Sequence, residues 1–201
     1  MPKFGTRDHI FVLKQLLTKY LQNKKYIFAC FIDFQKAFDS VWHQGLLFKL
    51  RQIGISGNFY KVIKNIYHNS TSTVKTKNGM TKCFPVRRGI RQGDGLSPLL
   101  FNIFVNDIKS HIESGKNDPP MLLKNRLSCL LYADDLVLLS ETNSGSQNAI
   151  NNLQEYCKQW KLHINITKSK SMIFNESCKL LNNFKLMALN LKEYWHIHIL
   201  E

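Results

Sequence analysis

The stretch LLYADDLVLLS, Leu130 to Ser140, sets two carboxylates, Asp134 and Asp135, side by side between two apolar runs. Like charges in apolar surroundings repel and lose hydration, so both stay ionised there only beside a cation. A third carboxylate supports that reading. Asp33 closes the apolar run IFACFID about a hundred residues earlier. If the two segments are neighbours in one sheet, Asp33 and Asp134 converge at its edge. Neither short motif contains a Lys or Arg to neutralise them. Mg2+ is hard, prefers oxygen ligands and usually takes a few carboxylates plus substrate phosphates, so it suits such a set, with Mn2+ as an alternative. A solvated hairpin tip is the competing reading of YADD by itself.

Strands and helices must position these residues. DHIFVLKQLLTKYLQNKK has apolar residues at Ile10, Leu13, Leu16, Leu17, Tyr20 and Leu21, a helical stripe with Asp8 as its N-cap. YIFACFIDF is short and β-rich and reads as a buried strand ending near Asp33. Helical patterns return at HQGLLFKLRQIG, stopped by Gly54, and at NFYKVIKNIYHN. STSTVKTKNGMTKCFPVRRG suggests two strands around an Asn78-Gly79 turn. Ser97 is a suitable N-cap, with Pro98 in the first turn, for a helix through LLFNIFVNDIKSHI. SGKNDPPMLLKN reads as a loop, followed by strands RLSCLLY and LVLLSE joined at Ala133-Asp134. A helix in SGSQNAINNLQEYCKQWKLHIN and a strand KSMIF complete the pattern. The fold class expected is α+β: a small, mostly antiparallel sheet with helices packed on one face.

Composition narrows the partners. The 201 residues are 44% hydrophobic, enough for a core, which excludes disorder throughout. A net charge of +14, from 28 basic and 14 acidic residues, favours a polyanion, most commonly nucleic acid. No apolar run reaches the ~18 residues of a membrane span, and MPKFGTRDHI lacks the apolar region of a signal peptide. The five cysteines contain no CxxC pair and read as reduced thiols. Together these features predict an intracellular protein of nucleus or cytoplasm. The HIH at 196–198 lacks partner ligands for a metal.

Four segments, FIDFQKAFDSVWH, GIRQGDGLSPLLFNIFVNDI, LLYADDLVLLS and LHINITKSKSM, resemble in order and spacing the palm motifs of reverse transcriptases. The likeness is closest to those of non-LTR retrotransposons and covers about residues 4 to 175. It implies a right-hand polymerase palm that moves a nucleotide from a dNTP to a primer 3′-hydroxyl on an RNA template. Two Mg2+ ions would activate the hydroxyl and stabilise the leaving pyrophosphate. By that resemblance Asp33 and Asp134 bridge the metals, Asp135 supports them, and the backbone carbonyl of Phe34 is an extra ligand. Phe38 falls where an aromatic lies under the nucleotide sugar and excludes a 2′-hydroxyl by repulsion; a core Phe is the alternative. Asp39 caps or pairs locally.

Gln92 and Gly93 align with a nucleotide-binding turn, where Gly admits close backbone approach and Gln both donates and accepts. Gly89, Gly93 and Gly95 are equally explained as turn residues before a helix. Arg91, with Arg87 and Arg88, suits template or phosphate contact, or forms a solvated basic face. Asn165 and Lys168 match a later motif in which lysine protonates or neutralises departing pyrophosphate; a surface lysine is the alternative. The resulting domain reading is 1–25 a remnant of the fingers, 26–175 the palm, and 176–201 a divergent segment without a primer-grip signature, the thumb being absent. This is the pattern of a truncated copy. The competing function is a catalytically inactive remnant that only binds nucleic acid.

Overall fold

The run IFACFI has no charged residue, and it forms an inner strand of a sheet buried on both faces. The computed structural model describes residues 5–77, 79–91 and 93–175, together with the backbone of two short strands, 185–186 and 189–190. In chain order the elements are α1 (Thr6–Gln22), β1 (Ile27–Ile32), α2 (Ala37–Ser40), α3 (His43–Gln52) and α4 (Gly57–His68). Four two-residue strands follow, β2 (Thr71–Ser72), β3 (Lys75–Thr76), β4 (Gly79–Met80) and β5 (Phe84–Pro85). Then come α5 (Ser97–Phe104), α6 (Ile108–Glu113), β6 (Met121–Leu122), β7 (Asn125–Arg126), β8 (Cys129–Tyr132) and β9 (Asp135–Ser140). The chain continues through α7 (Asn143–Trp160), β10 (Lys170–Phe174), β11 (Lys185–Leu186) and β12 (Leu189–Asn190).

The elements fall into two compact units. The first comprises residues up to Gln35, Asp107–Gln159 and the chain from His163; the second comprises Lys36–Asn106 and Trp160–Leu162. In the first, four strands pair antiparallel in the order β10-β1-β9-β8. Leu16 and Tyr20 of α1 pack with Ile27, Ala29, Leu139 and Phe174 of one sheet face. A fully buried Leu such as Leu16 contributes about 1.5–3 kcal/mol. The alternate residues Cys30, Ile32, Leu136, Leu138 and Ile173 are buried as well. In the second unit α3 packs on α4 and α5, burying Leu46, Leu50, Ile63, Leu100 and Phe101. The buried Lys49 there donates to the Phe104 carbonyl at 2.6 Å and lies 3.8 Å from the Trp160 ring centroid. The fold is α+β, as the pattern of the sequence predicts.

Several local expectations change. Helix α1 begins at Thr6 with Gly5 as N-cap; Asp8 sits inside the first turn and accepts the Gly5 N–H at 2.6 Å. Ser97 does not cap α5, because its hydroxyl donates to the Arg91 carbonyl at 2.6 Å. The single helix expected from Ser97 onward divides after Phe104. Asn106 and Asp107 interrupt it: such short polar side chains compete with the helix backbone, and Asp107 accepts the Tyr156 O–H at 2.7 Å. SGKNDPPMLLKN is no mere loop, since Met121–Leu122 pairs with Asn125–Arg126. Helix α7 stops at Trp160, where Lys161 turns left-handed at φ 59°. Asn78 and the HIH at 196–198 lie outside the described residues.

Candidate active site

Strand register places the acidic residues. Ile32 pairs with Leu136 where β1 and β9 end their ladder. Asp33 and Asp135 are the next residues out, so they stand opposite each other at the sheet end. Asp134 occupies the two-residue turn between β8 and β9, whose last pair is Tyr132 with Asp135. Ala133 adopts φ 51°, the left-handed conformation that such turns use at their first position.

A second segment fixes Asp33 by its backbone. The Asp33 N–H donates to Ser169 Oγ at 3.1 Å, and its carbonyl accepts the Asn165 N–H at 2.7 Å. Gln35 N–H donates to the His163 carbonyl at 2.7 Å, and the buried Phe34 forms an antiparallel bridge with Ile164. Asn165 Oδ1 in turn accepts the Thr167 hydroxyl at 2.7 Å and the Lys168 N–H at 3.4 Å. The ITKSKS stretch is therefore a turn clasped around Asp33, with Lys168 exposed on it. Ser169, only 1% exposed, was not singled out by its sequence; a lone hydroxyl between two lysines carries no signal until the topology brings it beneath Asp33.

A cavity of about 420 Å3 opens at this sheet end, lined by Asp33, Asp135 and Lys168 with His9, Ile10 and Tyr132. The His9 and Tyr132 rings meet edge to face at 5.9 Å. Neither ring was picked out by the motif spacing. Asp134 is not on the cavity wall. Among the described residues no three His, Cys, Asp or Glu side chains form a ready-made metal set. Among the described residues, none hydrogen-bonds or ion-pairs with the carboxylates of Asp33, Asp134 and Asp135. Mg2+ takes one or two carboxylates and completes its shell with water and phosphate oxygens, so this donor chemistry fits it.

The second unit carries the other candidates. Phe38 is half-buried and stacks on Phe101 with centroids 4.7 Å apart. Its carbonyl accepts the Ile90 N–H and that of Val41 accepts the Gly89 N–H, both at 2.9 Å. Gly89 (φ 88°) lies so close to this segment that a Cβ would meet the Asp39 carbonyl oxygen at 3.0 Å. Gly93 also has positive φ (83°), but nothing lies within 4 Å of its Cβ position. Arg87, Arg88 and Arg91 are exposed, while the Arg91 backbone is held by Ser97. Burial raises the Tyr67 phenol above its usual range in the same corner, with Asp94 adding to the shift and Ser97 and Arg91 opposing it. Gln92 lies outside the described residues.

The family model for "Reverse transcriptase (RNA-dependent DNA polymerase)" matches residues 2–183. The chain belongs to the reverse transcriptase family. Its resemblance to the enzymes of non-LTR retrotransposons is borne out by its relatives. It is 32% identical over 184 residues to the probable RNA-directed DNA polymerase from transposon BS of Drosophila melanogaster, covering 86% of this chain and 20% of the relative. It is 28% identical over 176 residues to the RNA-directed DNA polymerase from mobile element jockey of the same fly, covering 85% and 19%. The chain thus spans about a fifth of the length of these curated relatives. Among solved structures it is similar in fold to apo telomerase from Candida tropicalis, with TM-score 0.66, 14% identity, and coverage of 92% of this chain and 34% of that one.

Proposed function

We propose that this reverse transcriptase chain is the palm of an RNA-directed DNA polymerase, adding nucleotides from dNTPs to a primer 3′-hydroxyl along an RNA template. The observation that carries the reading is one cavity at one sheet end holding a lysine, Lys168, and two carboxylates, Asp33 and Asp135, that have no partner among the described residues. Asp33 and Asp134, with Asp135 and the Phe34 carbonyl in support, would hold two divalent ions, Mg2+ or Mn2+, whose chemistry would be to acidify the primer hydroxyl and offset charge on pyrophosphate. Lys168 neutralises or protonates the departing pyrophosphate. Phe38 packs under the sugar and rejects a 2′-hydroxyl, while Gln92 and the open backbone at Gly93 meet the nucleotide and Arg91 meets phosphate. Such a reaction belongs inside the cell, in nucleus or cytoplasm.

The test is primer extension on an RNA template with Mg2+, comparing the chain with its Asp33→Asn and Asp135→Asn variants. Each substitution removes a charge from the cavity and is expected to lower the rate at least about a hundredfold. Equal rates for all three proteins would end the assignment. A second reading is favoured by one observation, the exposed basic cluster of Arg87, Arg88 and Arg91. In it the chain binds primer-template in a salt-dependent way but extends nothing.

A further inference from the structure

The structure carries a second groove, at the other end of the same sheet. Strand β9 runs from Asp135 to Ser140, so its far end lies ~17 Å from Asp135 at about 3.3 Å per residue. There an open groove of about 1370 Å3 forms between the loop after α6, the β6–β7 hairpin and the start of α7. Three of its cations, Lys116, Lys124 and Arg126, are exposed, and their side chains make no hydrogen bond or ion pair to the described protein. Its three acids are all engaged. Glu113 accepts the Ser128 hydroxyl at 2.6 Å and faces Lys109 at 3.8 Å. Asp118 accepts the Thr142 hydroxyl at 2.6 Å, and Glu141 accepts the Tyr20 hydroxyl at 2.7 Å.

The groove is built rather than incidental. Asn117 is 3% exposed; its amide nitrogen bonds the Ile112 carbonyl and its backbone carbonyl accepts the Ser140 hydroxyl at 2.7 Å. At the first turn of α7 the loop presses on Gly145, where any Cβ would run into the Asn117 carbonyl and the Ser140 hydroxyl. Lys19 Nζ holds the Met121 carbonyl at 2.8 Å, fixing the base of the hairpin. The hairpin tip is the two-residue turn Leu123-Lys124. Leu123 sits there at φ 55° and is 85% exposed, an apolar side chain held in water beside the unpaired cations.

We propose that this groove binds the phosphate backbone of a single nucleic acid strand, through Lys116, Lys124 and Arg126, with Leu123 against its bases. Unpaired cations on a fixed scaffold gain from releasing the counterions of a polyanion, and Leu is a side chain that proteins use against base faces. RNA and DNA offer the same phosphates, so either strand fits this chemistry. The site goes beyond the proposed catalytic reading, because it contains none of the residues to which that reading gives a role.

The experiment is fluorescence anisotropy of the full chain with a labelled single-stranded RNA, and with DNA of the same sequence, across a salt series. Lys116→Ala, Lys124→Ala and Arg126→Ala combined are expected to make the slope of log K against log salt shallower by about 2 units. A control losing the same charge elsewhere, Lys14→Ala, Lys61→Ala and Lys158→Ala, is expected to change it by less than half as much. Leu123→Ser is expected to weaken binding severalfold at fixed salt with the slope kept. Matching slopes for the two triple variants, or a wild-type chain that binds neither strand, would overturn the proposal. Tighter binding of RNA than DNA identifies the strand as RNA through its 2′-hydroxyls; equal binding leaves a backbone site for both. Asp33→Asn reports on the catalytic reading alone: it should keep the slope and lose extension.

Discussion

At the scale of single residues, the Asp33 backbone depends on one buried hydroxyl, that of Ser169. Ser169 accepts the Asp33 N–H in a nearly closed position, so Ser169→Ala strands a backbone donor. An unsatisfied donor of this kind costs about 1–3 kcal/mol. The expected outcome is a lower urea midpoint together with a lower extension rate, and unchanged values of both would show that the clasp around Asp33 is slack. Phe38 offers a sharper choice. Its stacking on Phe101 makes Phe38→Ala destabilising whatever else the ring does. If the ring also excludes ribose, the ratio of kcat/KM for ribonucleotide over deoxynucleotide rises by roughly two orders of magnitude, a few kcal/mol of lost repulsion. A loss of stability with an unchanged ratio assigns the ring to packing alone.

At the scale of elements, the turn at 86–90 is held against the Phe38–Val41 segment, and Gly89 is the residue that permits it. Gly89→Ala puts a Cβ both at positive φ and against the Asp39 carbonyl, while Gly93→Ala meets only the backbone strain. Strain alone costs about 1–3 kcal/mol, so Gly89→Ala should lie above Gly93→Ala by the further cost of moving the 38–41 segment. Equal losses in urea unfolding would show that the segment gives way freely. Elements with strong periodicity were legible from sequence: the strand KSMIF falls at Lys170–Phe174, and IFACFI at Ile27–Ile32. Their ends were less so. Ser97 reads as a cap because hydroxyls near a helix start usually are, but the Arg91 carbonyl of the preceding turn, six residues earlier, takes its hydroxyl instead. The β6–β7 hairpin was hidden because its strands have two residues each and its turn carries Leu-Lys rather than a glycine pair. Chain spacing put Asp33 and Asp134 at one sheet end, but the register sets Asp135, not Asp134, opposite Asp33; Ser169, His9 and Tyr132 were not legible, since their places arise from contacts between segments far apart in the chain.

At the scale of the whole molecule, charge and thiols are unevenly placed. The second unit holds twelve Lys or Arg against only Asp39 and Asp94, so it carries +10 of the chain's +14. Polyanions should therefore meet that unit first, at rates that fall with salt. The thiols set an alkaline limit. Burial pushes Cys30 and Cys157 up to about 12 and, as the largest of several causes, Cys129 to about 11, from a usual 9.0. Above pH 9.0 the unfolded thiols ionise while the folded ones stay protonated, so unfolding releases protons and stability falls with rising pH. The stability is fully present below that pH and is lost toward 12, by about 1.4 kcal/mol per pH unit for each thiol. Urea midpoints at pH 8 and above pH 10 should diverge for the native chain, and less so for Cys30→Ala. Exposed Cys83 should react with a thiol reagent in the folded state while those three do not.

The order β10-β1-β9-β8 also fixes a schedule of synthesis. The strand IFACFI leaves the ribosome with neither neighbour made, since its partners lie at 135–140 and 170–174. At roughly 5–20 residues per second, it waits on the order of 5–20 s for β9. During that time an uncharged strand has two unpaired edges, the situation in which nascent chains pair with one another. Helix α1, already complete upstream, is the only sheet-covering helix of the described fold available to shield it. The apolar stripe that later roofs the sheet is, for those seconds, the chain's own chaperone.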